Sequence, residues 1–207
     1  MVKRTESSRR WLAEHESDEF VKRAREAGYR SRAVYKLEEI QRTDRIIRPG
    51  MTIVDLGAAP GGWSQLAAKL LKGQGRIVAN DILPMDEIVG VEFLQGDFSA
   101  EEVLAQFLAL LGTDRPRLVM SDIAPNTTGI ADVDHDRSMY LVELALDFAK
   151  QTLVPGGDFV VKVFQGRGFQ DFVKQLRGSF KTVKFRKPPA SRARSAELYL
   201  LARDFKS

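Results

Sequence analysis

Residues 52–71, TIVDLGAAPGGWSQLAAKLL, constrain the fold more than any other stretch of the chain. A β-branched and apolar run ends in an acid, Asp55, and a loop of small residues follows from Gly57 to Gly62. Beyond it, Trp63, Leu66, Ala67, Leu70 and Leu71 recur at the spacing of one helix face. Strand, glycine loop and helix in that order form a turn with which open α/β sheets bind nucleotide-type ligands. Glycines there let the backbone approach a ligand where a Cβ would collide. The glycines fall as G-x-x-x-G-G, which does not meet the dinucleotide fingerprint, and no Gly-Lys-Ser/Thr completes a P-loop. A tight strand-to-helix connection without a ligand is the plain alternative.

The rest of the chain supplies the partners such a turn needs. At 207 residues it is long enough for one well-cored α/β domain and short for two. Residues 1–30 are polar and charged and read as a basic N-terminal arm; residues 31–207 read as a single domain. Nine basic residues fall between Lys3 and Arg32, and six more, with no acid, lie in residues 181–194. These clusters point to RNA more than the net charge of +4 does. No apolar run approaches a membrane span and no signal-peptide core is present, so a cytoplasmic protein without a membrane partner is expected. The absence of cysteine excludes disulfides, thiolate nucleophiles and thiolate metal sites, and two histidines make a zinc site a poor fit. The acids at 132, 134 and 136 approach a calcium-loop spacing, but Arg137 stands where a glycine is obligatory. No metal is expected.

Periodicity gives the order of elements. Residues 31–43 read as a helix with Ser31 as N-cap and Val34, Leu37 and Ile40 on one face, leaving Lys36 off the stripe. Residues 75–81, 91–97, 117–122 and 158–164 read as strands, and the first three of these end in Asp81, Asp97 and Asp122. In an open parallel sheet, ligands bind beyond the strands' carboxyl ends. An acid on the strand next to the first one commonly receives ribose hydroxyls, and one on the following strand can accept from an adenine amino group. The competing role for Asp81 and Asp97 is capping the helices that follow. Ser99 with Glu102 has the form of a capping box. Residues 127–137 read as a polar loop leading to a helix over 138–153. Five β-α units in alternation predict a mostly parallel, doubly wound sheet. The last two strands, 180–186 and 197–203, are joined too briefly for a crossover helix and predict an antiparallel C-terminal hairpin. That direction puts Glu197 at the same rim as Asp122 and Lys162, and Lys36 can close the set.

The motifs SRAVYKL, VDLGAAPGGWSQ, SDIAPN, VVKVFQG and SRARSAELYLLA together resemble the FtsJ/RrmJ type of S-adenosylmethionine-dependent RNA ribose 2′-O-methyltransferases, with their Rossmann-like fold. The resemblance runs from about Ser31 to Arg203. It implies a catalytic tetrad at Lys36, Asp122, Lys162 and Glu197. It implies S-adenosylmethionine as cofactor, with contacts at Gly57, Gly61, Trp63, Asp81, Asp97 and Asp122. A compact chain with only a basic arm is most similar to members that methylate a uridine of 23S ribosomal RNA in the assembled large subunit. This implies a monomer acting in ribosome biogenesis. A 2′-O-methyltransferase of tRNA or of a messenger cap, or a non-catalytic assembly factor of the same fold, are the competing readings.

Overall fold

A computed structural model describes residues 18–125, 128–191 and 195–207. Residues 1–17 of the basic arm, Asn126, and Arg192 and Arg194 of the C-terminal basic run lie outside the described residues.

Strand character comes first from apolar runs that can be covered on both sides. Strands β1 (Met51–Leu56), β4 (Leu118–Ser121) and β5 (Asp158–Phe164) are buried almost throughout. That is the pattern of central parallel strands. Side chains alternate between faces along each strand. Val54, Val119 and Val161 pack with helices α4 (Glu101–Leu111), α5 (Ala131–Thr152) and α6 (Phe169–Ser179) through Phe107, Leu146 and Phe172. Ile53, Leu118 and Val160 pack on the opposite face. There they meet α1 (Glu19–Glu26), α2 (Val34–Asp44) and α3 (Gly62–Leu71) through Ala24, Leu37 and Leu66.

With β2 (Gly75–Asp81), β3 (Val91–Gln95), β6 (Phe180–Arg186) and β7 (Glu197–Phe205), the sheet has seven strands in the order β3-β2-β1-β4-β5-β7-β6. The first five are parallel, and β7 runs antiparallel to both β5 and β6. The expected α/β architecture with a C-terminal antiparallel hairpin is the observed one. β2 and β4 flank β1 on opposite sides, so the chain changes direction beside the glycine turn. That crevice is where open sheets bind ligands. The pairing of Lys162 with Tyr199 and of Phe164 with Glu197 brings the start of β7 to the carboxyl end of β5.

Four local expectations differ. The link between β2 and β3 carries no helix; it lies on the glycine turn instead, with Met85 and Ile88 beside Gly61. Helix α5 begins at Ala131, so most of the expected polar loop is helical, and its first turns are largely exposed. The box from Ser99 to Glu102 does not form. Asp97 Oδ1 accepts both the Ser99 N–H, at 2.9 Å, and the Ser99 hydroxyl, at 2.7 Å, so the N-cap position passes to Ala100. Ser31 likewise does not cap α2, whose N-cap is Ala33.

Candidate active site

The glycine turn is shaped by close approach. Gly57 has φ +74°, and a Cβ there would lie 2.9 Å from the Cα of Ile123, the residue after Asp122. Gly61, at φ +109°, faces Ile88, Met85 and Arg30. Both sit in the left-handed region that favours glycine. Arg30 donates to the carbonyls of Pro60 at 3.3 Å, Asp86 at 2.6 Å and Glu87 at 2.8 Å, fastening the β2–β3 link to the turn. Asp81 accepts from Ala59 N at 2.8 Å and from Leu83 N at 2.9 Å, so the end of β2 is tied to the turn as well. The side chains of Ile82 and Leu83 beside it stay exposed. Trp63 is buried; its indole N–H donates to the Ala33 carbonyl, and its ring centroid lies 5.7 Å from that of Tyr199.

Across the rim, the four residues of the expected tetrad meet as two ion pairs. Lys36 Nζ lies 2.8 Å from Glu197 Oε1 and 2.9 Å from Oε2. Lys162 Nζ lies 3.1 Å from Asp122 Oδ1 and donates to the Asp122 carbonyl at 2.6 Å. Both lysines are buried to below a tenth of their exposed area, where an ammonium needs partners. Tyr199 joins the pairs: its hydroxyl donates to Asp122 Oδ1 at 2.7 Å, and Lys36 Nζ sits 5.5 Å from its ring centroid. Ser191 Oγ donates to Glu197 Oε1 at 2.8 Å. Sequence reading misses Tyr199 and Ser191. The only available signal for Tyr199 is strand alternation, which puts it on the same face as Glu197 two residues earlier.

Electrostatics separate the acids. Burial opposes ionisation of Asp122, but the Lys162 and Lys36 ammoniums and the Tyr199 hydroxyl outweigh it and hold the carboxyl below its usual range. The Ser99 bonds to Asp97 do the same there. Burial pushes the Asp55 carboxyl up to about 7; the Ser64 hydroxyl opposes this, while Asp122 and Asp81 add to it. Ser64 donates to Asp55 Oδ2 at 2.6 Å, and Asp55 Oδ1 is buried with no protein partner among the described residues. Because the folded pKa lies above the unfolded one, Asp55 favours folding while protonated, and that contribution is lost as pH rises through about 7. Asp55→Asn keeps an acceptor for Ser64 and cannot ionise. Urea denaturation at pH 5 and pH 8 is therefore expected to show the wild type losing about 2–3 kcal/mol more than the variant over that interval. Parallel pH profiles for the two proteins would contradict the assignment.

These features fit S-adenosylmethionine. Asp81 and Asp122 converge from two strand ends and favour a ligand carrying positive charge, as a sulfonium and an α-ammonium do. Ile82 and Leu83 beside the turn offer apolar surface for a base. Among the described residues no cluster of His, Asp and Glu could hold a metal ion. No helix there is long and apolar enough to cross a membrane.

A family model for FtsJ-like methyltransferases matches residues 29–205. The chain is similar to a protein from Plasmodium falciparum assigned as a ribosomal RNA methyltransferase, at 30% identity and a TM-score of 0.77, covering 86% of this chain and 98% of that one. It shares its fold with a protein from Clostridium thermocellum assigned as an rRNA methylase, at 18% identity and a TM-score of 0.56, covering 82% and 97%. A protein from Streptococcus thermophilus assigned as a haemolysin has the same fold at 18% identity and a TM-score of 0.60, covering 84% and 67%.

Proposed function

Because the chain belongs to the FtsJ-like methyltransferase family, we propose that it transfers a methyl group from S-adenosylmethionine to the ribose 2′-OH of a uridine in 23S ribosomal RNA of the assembled large ribosomal subunit. The observation that carries this reading is the pair of buried lysine–carboxylate contacts, Lys162 with Asp122 and Lys36 with Glu197, at the rim of the glycine turn. When bound, S-adenosylmethionine supplies an electrophilic methyl group on a sulfonium.

The chain's own residues hold and orient. The turn at Gly57 and Gly61 borders the cofactor, Asp81 receives its ribose hydroxyls, Asp97 accepts from its adenine amino group, and Trp63 backs the rim through Tyr199. A ribose hydroxyl is a weak nucleophile, so much of the acceleration comes from alignment. Lys162 Nζ, oriented by both the carboxylate and the carbonyl of Asp122, releases a proton to solvent and then, as a neutral amine, takes the 2′-OH proton. Lys36, fixed by Glu197 and through it by Ser191, holds positive charge beside the developing alkoxide. A chain without cysteine has no thiolate with which to activate a pyrimidine ring carbon, which turns the reading toward the ribose. The same reading makes the event a late step of ribosome biogenesis in the cytoplasm, carried out by a monomer.

Calorimetric titration with S-adenosylmethionine followed by turnover on isolated large subunits tests the proposal. Binding with turnover is expected; binding without turnover on any RNA would make the protein an assembly factor that kept the fold.

A further inference from the structure

Next to the tetrad, on the side of β6, a hollow of about 450 Å³ is lined by Gln165, Phe185, Arg186, Lys187, Glu197 and Leu198 together with Ser195. Its volume is many times the roughly 30 Å³ share of a water molecule. Phe185 is 44% exposed. Its ring leans on the buried Phe169 at a centroid distance of 6.2 Å and an interplanar angle of 60°, so part of it remains available. Singly exposed apolar side chains are ordinary; the surroundings give this one its meaning. Along β6, Lys181, Val183 and Phe185 share one face by alternation, and Lys187 follows just beyond the strand. Lys187 Nζ donates to the Ser195 and Glu197 carbonyls, which holds its charge at the mouth of the hollow. Glu197 lines the hollow and pairs with Lys36 in the tetrad, while Phe185 and Phe169 lie on the other face of the sheet, so the hollow adjoins the site around the start of β7. An aromatic platform among cations is the arrangement that binds unpaired nucleotides, by stacking and by attraction to phosphate. The hollow between α1 and α2, about 490 Å³, mixes Glu38 and Glu39 with Arg23 and Arg42 and lacks that bias.

We infer that this hollow is a stacking subsite for the base of an unpaired nucleotide flanking the ribose that is methylated, with Phe185 as its platform and Gln165 facing the base edge. The inference rests on the RNA ribose methyltransferase reading. It follows that the acceptor RNA is locally unpaired where it enters the site.

Methyl transfer to isolated large subunits by Phe185→Ala, Phe185→Leu and Phe185→Trp tests it, with KM for the RNA substrate and for S-adenosylmethionine measured separately. Alanine substitution under a stacked base typically weakens binding by a factor of roughly 10 or more. Phe185→Ala is therefore expected to raise the RNA KM about tenfold and leave the cofactor KM unchanged. Phe185→Trp should restore the wild-type RNA KM. Phe185→Leu, which keeps apolar bulk against Phe169 without a π-face, should not. A wild-type RNA KM in Phe185→Ala or in Phe185→Leu overturns the subsite while leaving the methyltransferase reading intact. A wild-type protein that methylates no RNA overturns both.

Discussion

Lys162→Arg is expected to abolish methyl transfer while leaving S-adenosylmethionine binding near the wild-type level. Lys162 is buried, and its Nζ is held by the Asp122 carboxylate and carbonyl together. Arginine preserves the charge but does not give up its proton at any ordinary pH. If the lysine removes the 2′-OH proton, the substitution removes the base, and a general base is typically worth about 10²–10⁴ in rate. Lys36→Arg is the matching control. Its partner Glu197 presents both oxygens, at 2.8 and 2.9 Å, and a guanidinium fork suits such a carboxylate. It should keep activity to within roughly tenfold, the scale of a modest loss in electrostatic positioning. An active Lys162→Arg enzyme would make that lysine a positioning cation and leave the proton to solvent.

Gly57→Ala is expected to be the most damaging single change in the glycine turn. The new Cβ would lie 2.5 Å from Ile123 Cγ1, 2.9 Å from its Cα and 3.0 Å from its N, at φ +74°. Left-handed backbone costs a non-glycine residue about 1–2 kcal/mol. Overpacking against a neighbour adds about 1–3 kcal/mol, here because two of the three contacts are backbone and cannot swing away. A destabilisation of about 2–5 kcal/mol follows. Relief by moving the loops apart would drag Asp122, whose N–H bonds the Leu56 carbonyl at 3.3 Å, away from Lys162. Cofactor affinity and activity should fall together. Gly73→Ala separates the two causes, since Gly73 has φ +75° but nothing within 4 Å of the added Cβ. It should show the backbone cost alone by chemical denaturation and bind cofactor normally. Equal losses in the two variants would show that the contact with Ile123 does not matter.

Legibility in the sequence followed the physics of each signal. β2, β5 and β6 begin and end where the apolar pattern says, because strands of a sheet with a covered face leave a local trace. Helix α5 was missed over its first turns because that part is largely solvated, and burial begins only at Ser138. Without a buried face there is no period to read. Ser99 carried the form of a cap, but Asp97 stands two residues away and took its donors. Charge alone misled at Arg30, which looks like part of an RNA-binding arm and instead serves backbone carbonyls at the glycine turn. Asp122, Lys162 and Glu197 are legible as residue types on strands that end at one rim, and Lys36 as a helix residue off the buried stripe. The contacts that finish the tetrad are not. Lys36 and Glu197 are 161 residues apart, and Tyr199 and Asp122 are 77 apart, so only the assembled sheet reveals that Tyr199 links the two pairs.

The central claim, that the Lys36–Glu197 and Lys162–Asp122 rim methylates a ribose, is tested most directly by the chemical position of the transferred methyl group. Isolated large subunits lacking the modification are incubated with the protein and methyl-labelled S-adenosylmethionine, the RNA is digested to nucleosides, and the labelled nucleoside is identified by mass. The account predicts label in 2′-O-methyluridine from 23S RNA and none with the Lys162→Arg protein. Label on a base, or equal labelling by Lys162→Arg, would contradict it.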